Sequence, residues 1–262
     1  MSKLKNKVVW ITGASSGIGQ ALAFAMAKEG AKLVLSSRRE QELKKVANKC
    51  TSDVLIIPLD LSNSAEFNSL AKQVVEHFGS IDVLINNGGI SQRSEASATS
   101  LEVDRKLMEV NYFGAAALSK AVLPIMQQQK SGHLVAISSL SGKFGFFLRS
   151  AYSASKFALV GFYESLRLEE EKNNIKVSLV FPGFVHTNIS QNALSGDGQK
   201  HAKLDNNQKG GISAEKCARD IIRGIKKDKH EIISGGTEKW GILLKRLFPK
   251  LFYRILRKKS GE

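Results

Sequence analysis

Cysteine is almost absent from this chain: Cys50 and Cys217 are the only two in 262 residues. So few thiols at that spacing exclude a disulfide framework and a cysteine metal site, and make a reducing cytoplasm the expected compartment. Long apolar runs are missing too. Nothing approaches the roughly 20 residues that cross a bilayer, although the hydrophobic fraction of 42% is ordinary for a globular protein. The opening MSKLKNKVVWITG turns straight into a strand pattern, so no cleavable signal peptide is expected. Acid is the third scarcity, with 24 Asp and Glu against 39 Lys and Arg for a net charge of +15. An excess of that size suits nucleic acid, an anionic membrane or a polyanionic ligand. Its distribution argues against nucleic acid. Lys239, Lys245, Arg246, Lys250, Arg254, Arg257, Lys258 and Lys259 crowd the C-terminus among apolar and aromatic residues, in no recognised nucleic-acid motif.

What is present is an alternation. KVVWITG leads into GIGQALAFAMAKEG, AKLVLSS into REQELKKVANKC, and VLIIPLD into AEFNSLAKQVVEHFG. IDVLINN precedes a long helical stretch from Leu101 to Lys130, and GHLVAISS and IKVSLVFPG flank another. A last pair is AEKCARDIIRGIKK and HEIIS. Nearly continuous apolar strands separated by helices predict an α/β fold: one Rossmann-like, doubly wound parallel sheet of about seven strands with helices on both faces. Residues 1–235 form that domain, and 236–262 a basic amphipathic helical extension rather than a second domain. The polar stretch 191–211 is the one long loop, of a length that is usually functional or disordered.

Chemistry-bearing residues gather at strand ends. Gly13, Gly17 and Gly19 follow the first strand, with Ser15, Ser16 and Ile18 between them. Glycines there permit a tight turn and close approach of a pyrophosphate to a helix N-terminus. The competing reading is a plain helix cap by Ser15 or Ser16. The second strand ends in Ser37, Arg38 and Arg39, with no acid before Glu40. Arginine at that place suits a 2′-phosphate, so NADP(H) is the expected cofactor, with Arg38 the stronger candidate; two solvated cations opening a helix are the alternative. Asp60 and neighbouring Leu61 follow the third strand, where Asp60 either meets an adenine edge or, like Ser62, caps a helix. Tyr152 and Lys156 are four apart, one helical face with Cβ atoms roughly 5–6 Å from each other. A cation beside a phenol favours phenolate and lowers its pKa from about 10 towards the working range.

Thr12-Gly13-x-x-x-Gly17-x-Gly19, NNGG at Asn86–Gly89, Asn111, Ser139, Tyr152-x-x-x-Lys156, Pro182-Gly183 and Thr187 occur in this order over nearly the whole chain. Together they resemble the short-chain dehydrogenase/reductase family, with features similar to its member-seven branch, some of whose members are membrane-associated. One departure is Gly88, where the family usually has alanine; it removes only a methyl. The resemblance implies hydride exchange between a nicotinamide cofactor and a carbonyl or alcohol. Tyr152 would be the general acid/base, and Lys156 would tune it and hold the nicotinamide ribose. Ser139 would bind the substrate oxygen, with Ser138 and Ser141 competing for that role, and Asn111 would hold a relay water. Asn87, Gly88, Pro182, Gly183 and Thr187 would complete the cofactor site, and the enzyme would be a homodimer or homotetramer.

The substrate is expected to be a small hydrophobic carbonyl or alcohol, because Phe144, Phe146 and Phe147 follow Ser139; the alternative places these rings in the core. Ser91, Gln92, Arg93 and Phe184 are further cleft candidates. In the tail, Trp240, Leu243, Leu244, Leu247, Phe248, Leu251, Phe252 and Ile255 recur at helical spacing among cations, with Pro249 as a break. That pattern fits peripheral membrane contact through 238–259 or packing on the cleft or a partner subunit. Two alternatives to a carbonyl reductase stay open: a 3-oxoacyl thioester reductase, and a non-catalytic NADP(H)-binding sensor that docks on membranes.

Overall fold

The computed structural model describes residues 3–201 and 210–258. The sheet strands are β1 (Val8–Thr12), β2 (Lys32–Ser36), β3 (Val54–Ile56), β4 (Val83–Asn86), β5 (Gly132–Ile137), β6 (Ile175–Pro182) and β7 (Glu231–Ser234). All neighbours pair in parallel in the order β3-β2-β1-β4-β5-β6-β7. Between them run helices α1 (Gly17–Lys28), α2 (Glu40–Ala47), α3 (Phe67–Phe78), α4 (Leu101–Met108), α5 (Gly114–Gln129), α6 (Ser150–Glu170) and α7 (Ala214–Lys226). The tail forms two short helices, α8 (Gly241–Leu247) and α9 (Pro249–Lys258).

Alternation along each strand divides the core. In β1, Val8 and Trp10 face the layer of α3, α5 and α6, whereas Val9 and Ile11 face α1, α2 and α7. Both faces are buried, which is why the strands read as unbroken apolar runs. Trp10 keeps its indole donor satisfied by giving it to Ser36 Oγ at 2.9 Å. The strand order reverses between β1 and β4, so their C-terminal ends open a crevice, the usual ligand position in such sheets. Gly13, Asn87, Ser139 and Gly183 all follow strands at that edge.

Two departures from regular helix matter. The stretch expected as one helix from Leu101 to Lys130 is broken by a π-helical turn at Glu109–Phe113, which carries Asn111. Single π-turns of this kind concentrate at functional sites. Pro249 opens α9 at the first helical position, where its missing N–H costs nothing, and separates the tail into two pieces as its place in the sequence suggests. Among the described residues no helix is long and apolar enough to cross a membrane. Residues 202–209 of the long loop, and Lys259, lie outside the described residues.

Candidate active site

The glycine turn is closed by the NNGG segment. Thr12 Oγ1 accepts from the N–H groups of Asn87 (3.0 Å) and Gly88 (2.9 Å), and Asn87 Nδ2 donates to Thr12 O at 3.0 Å. Gly13 has φ +64°, and a Cβ there would sit 2.7 Å from Gly88 Cα. Any Cβ on Gly19 would overlap the Gly13 carbonyl and lie 2.6 Å from Asn87 Nδ2. These glycines therefore let backbone approach backbone, leaving a concave turn of main chain at the start of α1, a cradle of the shape and dipole sign a pyrophosphate needs. The Gly88 departure has its own compensation: Leu61 Cδ1 stands 2.6 Å from where an alanine methyl would be.

At the end of β2, Arg38 and Arg39 are both exposed and both line the central cavity. Arg39 Nη2 donates to Ser15 Oγ and Ser16 Oγ, each at 3.0 Å, which lays its guanidinium across the glycine turn. Ser16 is the N-cap of α1 but its side chain makes no cap bond, so its hydroxyl serves Arg39 instead. Asp60 is exposed and accepts from Ser62 N–H (2.9 Å) and Ser62 Oγ (2.7 Å), the turn-capping arrangement. Gly19, Asp60, Leu61, Gly88 and Asn111 do not line the cavity; Gly13, Ser15, Ser16, Gly17, Ile18, Asn87, Ser139, Tyr152, Lys156, Pro182, Gly183 and Thr187 do. Thr187 closes over the turn, its Cγ2 lying 3.1 Å from a Cβ placed on Gly17.

Helix α6 carries Tyr152 and Lys156 on one face, as their spacing requires. Lys156 is 4% exposed and donates to Ile137 O at 2.9 Å, with Nζ 5.6 Å from the Tyr152 ring centre. Burial pushes its ammonium down to about 8. Burial also raises the Tyr152 phenol; a hydrogen bond with Ser139 and the charge of Arg149 act the other way without overcoming it. The expected lowering of Tyr152 by Lys156 is thus reversed, because desolvation wins. Ser139 is the serine that meets Tyr152, while Ser138 is buried and donates to Lys156 O at 3.1 Å. Asn111 is fastened to the Ile90 peptide, accepting from its N–H at 2.8 Å and donating to its carbonyl at 2.9 Å, and it donates also to Ser155 Oγ at 2.9 Å.

The cavity, about 830 Å³, runs from the glycine turn past Tyr152 to the tail helices. Residues 7–198 match the short chain dehydrogenase family model. The chain belongs to that family. Within it the member-seven branch is similar over nearly the whole length. A dehydrogenase/reductase SDR family protein 7-like of Anopheles gambiae is 43% identical over 99% of this chain and 84% of its own. SDR family member 7B of Mus musculus is 41% identical over 99% and 83%. Among solved structures, a Burkholderia phymatum short-chain dehydrogenase/reductase in complex with NAD superposes with a TM-score of 0.84 at 26% identity, covering 96% of each chain. An alcohol dehydrogenase from Thermococcus sibiricus complexed with 5-hydroxy-NADP gives 0.76 at 25% identity, over 88% of this chain and 97% of that one.

In this short-chain dehydrogenase three cavity residues have no sequence signal that singles them out. Leu148 has φ +57°, a left-handed conformation that costs a branched side chain roughly 1–2 kcal/mol. It precedes Arg149, which donates from Nη1 to Ser91 Oγ (2.6 Å) and Gln92 O (2.7 Å) beside Tyr152. Gln92 itself is buried and donates to Ser94 and Thr99, away from the cavity. Glu238, at the root of the tail, accepts from Phe184 N–H at 3.0 Å and Gly236 N–H at 2.9 Å. It ties the Pro182–Gly183 turn to the tail. Glu238→Ala strips both donors of their partner and should cost about 1–3 kcal/mol, read as a lower Tm and weaker cofactor binding. Glu238→Gln, whose amide oxygen still accepts, should restore most of both.

Proposed function

We propose that the chain is an NADP(H)-dependent reductase of a hydrophobic carbonyl compound, with residues 1–235 as its catalytic body and 236–262 as an extension. The observation that carries the cofactor choice is Arg39 laid across the glycine turn beside Arg38, with no acid on the β2 end to engage a free ribose 2′-OH. Its relatives do not decide the matter, since one solved neighbour holds NAD and another an NADP derivative.

When bound, NADPH supplies the hydride that reduces the carbonyl carbon. The chain's own groups handle the oxygen. Tyr152 is already protonated at neutral pH at a phenol's ordinary value, burial raises it further, and it gives its proton to the developing alkoxide, so the phenol starts in the acid form that reduction needs. Ser139 donates a hydrogen bond to the same oxygen as charge builds. Lys156 offsets the phenolate left behind and would hold the ribose hydroxyls of the bound cofactor. Asn111 Oδ1, with one lone pair taken by Ile90 N–H, has a second for the relay water that returns the proton. Phe144, Phe146, Phe147 and Phe184 line the substrate end, which supports an apolar substrate. The exposed Phe113, Phe157 and Leu168 on the α5–α6 side support a homo-oligomer, and the tail supports peripheral membrane contact.

The test is NADPH and NADH oxidation across soluble and hydrophobic ketones, aldehydes and acyl thioesters. Turnover restricted to carrier-protein thioesters would assign the 3-oxoacyl reaction instead, and tight NADPH binding with no turnover would assign a sensor. Each arginine paired with the 2′-phosphate contributes roughly 1.5–3 kcal/mol. Arg39→Ala and Arg38→Ala should therefore each raise KM for NADPH by about 10- to 100-fold and leave NADH nearly unchanged. Equal losses for both cofactors would remove the 2′-phosphate reading.

A further inference from the structure

Helices α8 and α9 close one wall of the cavity, and they do so in an unusual way. Phe252 is buried against Phe144, with ring centres 4.9 Å apart, and anchors α9 to the body. Lys245 donates to Lys143 O at 3.0 Å and anchors α8. The apolar residues around these anchors are not buried. Trp240, Leu243, Leu247, Phe248 and Ile255 line the cavity and are at the same time 42–63% exposed. The apolar lining thus continues out of the mouth onto the protein surface. Of 13 large hydrophobic residues exposed among the described residues, seven lie between Trp240 and Ile255.

We infer that this mouth sits on an anionic lipid surface and that the substrate enters it from the bilayer, a reading that rests on the reductase assignment above. The charges select the occupant. Lys239, Arg246, Lys250, Arg254, Arg257 and Lys258 surround the apolar residues, with no acid from 239 to 258. The nearest carboxylate, Glu238, is engaged by Phe184 and Gly236. A second copy offering the same face would set cation against cation, whereas an anionic headgroup layer neutralises them. Helices of 7 and 10 residues are too short to span and lie in the interface plane. A carbonyl dissolved in the acyl layer then reaches the cavity without crossing bulk water, past a wall that carries Leu247, Phe248, Phe144 and Phe146.

The experiment uses the full chain with vesicles of phosphatidylcholine, alone or with phosphatidylserine. Of two tryptophans, Trp10 is fully buried and Trp240 is 63% exposed, so a blue shift in emission reports the mouth. The protein should sediment with the phosphatidylserine vesicles, release in high salt, and show that shift. Lys250→Glu/Arg254→Glu touches neither cavity nor cofactor site. With each basic residue near an anionic surface contributing on the order of 1 kcal/mol, the double reversal should weaken binding at least about tenfold. It should slow reduction of a vesicle-dissolved ketone by a similar factor and leave a water-soluble ketone unaffected. No sedimentation, an unmoved emission, or self-association of the chain through the tail would overturn the docking surface. An unchanged rate on the dissolved ketone despite lost binding would overturn delivery from the bilayer. Vesicle binding with neither ketone reduced would sink the reductase reading and leave the docking surface standing.

Discussion

Tyr152→Phe is expected to lower kcat by about 10²- to 10⁴-fold, the range for losing a positioned general acid, while NADPH binds nearly as before. The phenylalanine ring keeps the shape of the site and removes one oxygen. Among the described residues that line the cavity Tyr152 carries the only phenol, and it is paired with Ser139 and followed one turn later by a buried cation. Loss of turnover with intact cofactor binding isolates the proton-transfer step from folding. Turnover within tenfold of wild type would mean another group, Ser139 or a water, protonates the alkoxide. The pH profile sharpens the reading: because burial raises the phenol, reduction should stay flat through neutrality rather than fall with a tyrosine titrating near it. A variant that binds NADPH poorly would instead place Tyr152 in the cofactor cradle.

The same residue marks the limit of what the sequence conveys. That Tyr152 and Lys156 share a face follows from helical spacing alone. The direction in which their pKa values move does not, because it depends on how much water reaches the end of β5, and that is set by residues far away in the chain. The sheet was legible because its strands, buried on both faces, have no reason to alternate: VVWIT and HLVAI can be little else between helices. Glycines 13, 17 and 19 were legible as a turn. Their need for Asn87 and Gly88 as backing was not, since nothing local pairs Thr12 with a segment 75 residues on. Nothing local in the sequence marks Glu238, and only the tail's return to the Gly183 turn gives it a task. The tail itself admitted packing or membrane contact from its composition. The structure divides it: Phe252 packs, while Trp240, Leu247 and Phe248 stay exposed.

Lys156→Met should abolish activity and yet relieve the fold. The ammonium is buried with one protein acceptor, Ile137 O, and its pKa falls from 10.5 to about 8. A cation whose pKa is depressed on folding penalises the native state wherever it is charged. Between about pH 8 and 10.5 the unfolded chain holds more protons at this site than the native one, so native stability rises with pH across that window. Below it both states are protonated and the penalty is full; above it both are neutral and the penalty is gone. A shift of this size corresponds to about 3 kcal/mol. The stability of wild type relative to Lys156→Met, by urea denaturation, should therefore improve by about that much from pH 8 to pH 10.5. Taking a difference between two proteins cancels the other groups that titrate there. A pH-independent difference would mean that Lys156 keeps its ordinary pKa through solvent contact, and would remove burial as the cause. If the difference follows the predicted course, the chain tolerates an unfavourable buried charge at neutral pH. The site that makes the phenolate bearable during turnover is then one that folding alone would not choose.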